Sequence, residues 1–221
     1  MGKKNMKSYL SERTKKYSDL DSKTVLIQPV DGRDLPYTDS EVVAIREVAG
    51  DDFCLVTVEV DNWNNDLSPW IAPAVFGKEG FGKGAEYTLS KIMEIASDPS
   101  KTYFIGGYSL AGLFSLWAAY RTDIFSGVAA ASPSVWFPGF FEFVRENEIR
   151  TKRVYLSLGD MEEKTRNPVL STVGDNIRGI CEHLSSRGCD CILEWNRGNH
   201  FKEAHLRTAR GFAWVLNRKM N

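Results

Sequence analysis

Apolar residues along the chain gather into short runs that alternate with amphipathic stretches. Thr24-Val25-Leu26-Ile27 is a β-branched run ended by Gln28-Pro29, and Phe53 to Val60 is a second strand-like run. Between them, after a turn-rich loop at Asp31 to Pro36, apolar residues at 42, 45 and 48 or 49 predict a helix over Glu41–Val48. The strand pattern returns at Tyr103–Ile105, Gly127–Ala131, Val154–Gly159 and Cys191–Trp195. Helical patterns separate these runs. Ala85–Ala96 puts Leu89, Ile92, Met93 and Ala96 on one stripe, and Phe140–Asn147 is short and aromatic. A long helix begins at Asn167-Pro168, a capping side chain followed by proline, and ends near Gly188. Val173, Ile177, Ile180, Cys181 and Leu184 form its core face. A closing helix over Glu203–Asn217 turns Leu206, Ala209, Phe212, Ala213 and Leu216 inward. Strand and helix alternating with crossovers of this length predict an α/β fold on a mostly parallel sheet.

Two stretches break the alternation. Residues 1–22 are polar and basic, and are expected to lie across the surface. Asp61 to Gly84 is irregular, with Trp63, Trp70, two prolines and four glycines. A loop this long at the carboxyl end of a strand suits a binding role. Trp63 and Trp70 are read as pocket walls or, equally, as anchors that fix the loop by burying area. Gly77 to Gly84 approaches the phosphate-binding pattern G-x-x-x-x-G-K, but glycine stands where the hydroxyl residue belongs and no strand directly precedes it. It is read as a flexible turn, leaving a nucleotide-binding protein as a lesser alternative.

Composition narrows the function classes. With 221 residues, one domain over 1–221 with a large core is expected. A hydrophobic fraction of 43% and a charged fraction of 26% are ordinary for a globular protein. A formal net charge of −1 argues against nucleic acid or a membrane surface as partner. No apolar run reaches the roughly 20 residues that span a bilayer, and the lysine-rich start lacks a signal peptide's apolar segment, which predicts the cytoplasm. Cys54, Cys181, Cys189 and Cys191 form no CxxC pair, which favours buried thiols over a disulfide or a metal site.

The segment from Thr102 to Tyr120 carries the chemistry. An apolar strand leads through Gly106-Gly107 to Tyr108-Ser109-Leu110-Ala111-Gly112, and an apolar helical run follows. Strand, sharp turn with one serine at its tip, then helix is the context of a nucleophile elbow. The turn strains the serine backbone, so its near neighbours must be very small, as Gly107, Ala111 and Gly112 are. The helix that follows aims free N–H groups at an oxyanion forming beside Ser109. Taken alone the pattern also fits an ordinary glycine-rich turn, so its partners decide.

Gly107 to Gly112 resembles the elbow of the α/β-hydrolase superfamily, and within it the esterase D-like family, with Ala111 in place of the last glycine of G-x-S-x-G. The resemblance implies helices on both faces of the sheet, no large cap domain, and chain order serine, acid, histidine. Of three histidines, His183 sits on the polar side of its helix and His205 inside the closing helix. His200, in Gly198-Asn199-His200 after the last strand, matches the family's Gly-x-His and is the expected base. The family's spacing of glycine, two residues, acid selects Glu162 after Gly159, with Asp160 and Glu163 as alternatives. The Leu110 N–H and one from Val30 to Gly32, taken as Asp31, are the expected oxyanion donors. Ser132 to Pro138 resembles the family's post-elbow exit, so Trp136 joins Trp63 and Trp70 as substrate-binding candidates, and the 140–147 helix is expected over the site. These residues imply a serine esterase with an acyl-enzyme intermediate, no cofactor and no metal, acting on a small ester or thioester. Homo-oligomerisation stays open, and the rival is a non-catalytic small-molecule binder on the same scaffold.

Overall fold

The computed structural model describes residues 13–217. Seven strands form one sheet in the order β1-β3-β2-β4-β5-β6-β7. They are β1 Thr14–Ser18, β2 Thr24–Val30, β3 Cys54–Glu59, β4 Thr102–Tyr108, β5 Phe125–Ala131, β6 Arg153–Gly159 and β7 Asp190–Asn196. β1 runs antiparallel to β3, and every other pairing is parallel. The central strands are buried on both faces, which is why their sequences are continuous apolar runs.

Helices cover both faces. They are α1 Thr38–Ala49, α2 Trp63–Asp66, α3 Ala85–Ile95, α4 Leu110–Arg121, α5 Phe140–Glu146, α6 Val173–Ser186 and α7 Ala204–Asn217. On one face Val25, Ile27, Val56, Ile105 and Val128 pack with residues of α3, α4, α5 and α6. On the other, Leu26, Leu55, Phe104, Ala129 and Tyr155 meet Val42 and Ile45 of α1 and Phe212 and Val215 of α7. Alternate residues of β2 thus feed two different cores. Helix α4 is buried from Leu110 to Tyr120, so its sequence is apolar all round. Among the described residues no helix is long and apolar enough to cross a membrane.

Several expectations need correction. The polar N-terminal segment includes a strand, Thr14–Ser18, that pairs with Cys54 to Val58 of β3; residues 1–12 lie outside the described residues. Met93 is exposed, because the buried stripe of α3 runs through Ala85, Thr88, Leu89 and Ile92. Asn167 instead precedes a 3₁₀ turn at Leu170–Thr172, its side chain accepting from the Val169 and Leu170 N–H groups, and α6 starts only at Val173. His183 is half-buried, and burial together with Arg187 and Arg145 lowers its pKa. Gly77 to Gly84 is fastened to the body: Phe81 pairs with Ala72, and the Gly82 and Gly84 N–H groups donate to Asn64 O and Asn65 O.

Candidate active site

The carboxyl ends of β4, β6 and β7 lead directly into Ser109, Glu162 and His200. Ser109 has φ 58° and ψ −121°, the strained geometry of a sharp strand-to-helix turn. The tightness of that turn explains the small residues. A Cβ on Gly107 would lie 2.7 Å from Ala111 Cβ, and one on Gly112 would lie 2.9 Å from Gly107 O and 3.2 Å from Ala131 O. Alanine at 111 is therefore tolerated because 107 is glycine, while the strict demand falls on 112. The turn is pinned from both sides: the Ser109 N–H donates to Ala131 O at 3.1 Å, and the Ser134 N–H donates to Ser109 O at 3.0 Å.

The loop after β7 brings His200 to the serine. His200 Nε2 lies 2.9 Å from Ser109 Oγ, and its Nδ1 lies 2.6 Å from Glu162 Oε2. The imidazole is partly exposed, whereas the Glu162 side chain is only 5% exposed. Ser134 Oγ sits 3.3 Å from Ser109 Oγ, a second hydroxyl beside the first. Tyr108 Oη donates to His200 O at 2.7 Å, and burial lifts its pKa to about 12.

Glu162 receives a full set of donors. The Gly159 N–H reaches Oε1 at 2.7 Å, Ser132 Oγ at 2.8 Å and an Arg207 guanidinium nitrogen at 3.0 Å, which leaves Oε2 to His200. Burial works against its ionisation, but the His200 hydrogen bond and charge, the Gly159 N–H and the Ser132 hydroxyl outweigh it and hold the carboxyl below its usual range. The two alternative acids are engaged elsewhere. Asp160 Oδ1 accepts the Gly198 N–H at 2.8 Å, and Glu163 Oε2 accepts from Arg178 at 2.7 Å.

The sequence reading missed Arg207. It is 1% exposed and donates to Glu162, Ser132 and Tyr108 and to Asn199 O in the histidine loop. The available signal was its spacing: Arg207, Gly211 and Val215 lie four apart on the buried side of α7. Also unforeseen was Phe201, 89% exposed and edge-on to His200 with ring centroids 5.6 Å apart.

The oxyanion and substrate candidates are placed less uniformly. Leu110 opens α4, where the first N–H groups of a helix have no intrahelical acceptor. The Asp31 N–H instead donates to Asp34 Oδ2 at 3.2 Å, so it serves an oxyanion only by exchanging that acceptor. Asp31 and Gly32 line an open cleft of about 620 Å³ with Arg13, Arg33, Glu59, Val60 and Asp61, over the ends of β2 and β3. None of the three tryptophans lines it. Trp70 is an anchor: its indole N–H donates to Pro138 O at 2.8 Å, and its ring packs on Phe137, Phe140 and Phe143. Helix α5 also packs on α6, where Phe141 fits against Gly179. Trp63 opens α2, partly buried against the main core. Trp136, two residues after Ser134, packs with Phe76 and Phe81.

No protein-family model matches the chain, and no curated protein matches it in sequence. Solved structures do match. An IroE-like serine hydrolase from Shewanella oneidensis aligns over 91% of this chain and 74% of its own, at TM-score 0.71 and 17% identity. The siderophore hydrolase EstA from Aspergillus nidulans aligns over 90% and 85%, at TM-score 0.66 and 18% identity. A Bacillus cereus carboxylesterase aligns over 95% and 97%, at TM-score 0.61 and 11% identity. With the sheet order and the helices on both faces, these likenesses give the chain the α/β-hydrolase fold.

Proposed function

We propose that this protein is a serine hydrolase that cleaves carboxylic esters through an acyl-enzyme. The observation that carries the reading is the single imidazole within hydrogen-bond distance of both the elbow serine and a buried carboxylate. A free hydroxyl is a poor nucleophile at neutral pH, and a base on its proton removes that barrier. In this reading His200 Nε2 takes the Ser109 proton as Oγ attacks the ester carbonyl. Glu162 holds the Nδ1 proton and steadies the imidazolium. The Leu110 N–H receives the developing oxyanion, worth roughly 3 kcal/mol at the transition state, with Asp31 as the second donor. His200 then protonates the leaving alcohol, and water repeats the cycle on the acyl-enzyme. Phe201 and Trp136 offer apolar faces for the substrate, and thioesters share the machinery. The four cysteines are free, which fits a reducing, cytoplasmic setting.

The test is intact mass after treatment with a fluorophosphonate. The expected outcome is one adduct on the wild type, none on Ser109→Ala, and much slower labelling of His200→Ala. Turnover of a short-chain aryl ester should fall by about 10⁴ in Glu162→Gln, because the amide enforces the wrong tautomer, and stay near normal in Asp160→Asn and Glu163→Gln. A folded wild type that takes no adduct would favour the binding-protein reading.

A further inference from the structure

On the face of α6 turned towards the edge strand β7, Cys181 Sγ lies 3.6 Å from Cys191 Sγ. The two side chains come from different elements, and both are only partly buried at the margin of the main core. A second contact fixes the same two faces against each other. Arg178, three residues before Cys181 on α6, stands over the ring of Trp195, four residues after Cys191 on β7, at 5.2 Å. Residues an even number apart on a strand share a face, so the cation–π contact and the thiol pair belong to one seam. Cys189 is set apart from it: 9% exposed, with its thiol towards Thr151 O at 3.9 Å.

We propose that Cys181 and Cys191 are a reversible redox site, closed to a disulfide by hydrogen peroxide, that fastens α6 to β7. The sulfurs are already in contact, and a bond of about 2.05 Å needs them to approach by side-chain rotation between elements that are packed together. Cys181 is the attacking group. It accepts the Cys191 S–H, and that bond draws its pKa down to about 7, whereas burial lifts Cys189 to about 12. The Cys181 thiolate attacks one peroxide oxygen, the O–O bond breaks, and a sulfenic acid forms as the other oxygen leaves as water. The Cys191 sulfur then attacks the Cys181 sulfur. The S–S bond forms, the S–O bond breaks, and the hydroxyl leaves with the Cys191 proton as a second water. Two thiols lose two electrons, and one peroxide becomes two waters. Neither cysteine touches Ser109, Glu162 or His200, so the site is independent of the hydrolytic reading.

The sequence allows a clean test on the full-length protein. After peroxide treatment, free thiols are blocked with N-ethylmaleimide. Trypsin cuts after Arg178 and Arg187 and Asp-N before Asp190, which places Cys181, Cys189 and Cys191 on three separate peptides. The expected result is a Cys181–Cys191 linked pair with Cys189 carrying the maleimide, reversed by dithiothreitol. Closing a loop of this length should raise Tm by about 5–10 °C. Cys189→Ser keeps the link and the rise, while Cys181→Ser and Cys191→Ser lose both. Maleimide or sulfinic acid on both cysteines, a link through Cys189, or a link without a rise in Tm would overturn the proposal.

Discussion

Glu162 divides its oxygens between two neighbours of opposite use: Oε2 faces His200, and Oε1 is held by Gly159, Ser132 and Arg207. A buried carboxylate with one oxygen saturated by fixed donors is held against rotation, so the angle it presents to the imidazole is set by Gly159 nearby in sequence and by Ser132 and Arg207 far from it. Arg207 ties that carboxylate to the rest of the site, because its guanidinium also holds Tyr108 and the Asn199 carbonyl. Arg207→Met breaks a buried charge pair and is expected to cost about 3–5 kcal/mol of unfolding free energy in a urea titration. Arg207→Lys, which keeps the charge but not the planar fork, should lose less. A loss below about 1 kcal/mol in the methionine variant would show that the pair does not hold the site. The residues alone left Asp160, Glu162 and Glu163 open after the strand-ending Gly159, and only the family resemblance favoured Glu162. The arginine was not legible, because a charged residue at a helix start reads as solvated until the strands it reaches across are in place.

Elements matter here through their ends. The elbow works because β4 and α4 approach within the thickness of a glycine, with Gly112 against Gly107 O and Ala131 O. Gly112→Ala places a methyl against two backbone carbonyls that cannot rotate away. It is expected to destabilise by about 1–3 kcal/mol and to slow fluorophosphonate labelling of Ser109 about 10–100-fold, more than the stability loss explains. Labelling at the wild-type rate would refute this. Strands buried on both faces were legible as apolar runs, and the striped helices as elements, although Met93 fell off its stripe and α6 starts at Val173 rather than near Asn167. What escaped was structure without such a signal. Thr14–Ser18 has a single large apolar residue, Tyr17, because an edge strand needs only backbone pairing on one side and gains from polar side chains on the other. The long 61–84 loop gave its tryptophans away as large, but the partners of Trp70 (Pro138 and the rings of α5) lie too far along the chain for spacing to reveal.

For the whole molecule, buried carboxylates set how stability varies with pH. Glu41 is 3% exposed, facing Gln28 across the α1 side of the sheet. Burial raises its pKa to about 8; the Gln28 amide opposes the shift, and the charge of Asp34 adds to it. Folding therefore takes up a proton at Glu41, and this stabilisation is complete below about pH 4.5 and fades as pH rises to about 8. Glu162 acts in the opposite sense: its pKa is depressed, so its contribution holds above the ordinary carboxylate range and is lost as the solution is acidified through it. Glu41→Gln keeps the shape without the charge. It should leave the urea midpoint at pH 5 little changed and raise it at pH 9, by up to about 4 kcal/mol in unfolding free energy. Equal shifts at both pH values would contradict this assignment.

Chain order gives the arrangement at the sheet's carboxyl edge a consequence in time. Ser109 precedes the His200 that reaches it by 91 positions, and Arg207 comes later still, on the helix that covers one face of the sheet. A ribosome therefore releases Ser109 long before His200, and His200 before Arg207, which holds Glu162. During synthesis the serine stays an ordinary alcohol, and the proposed chemistry switches on only when the last helix docks.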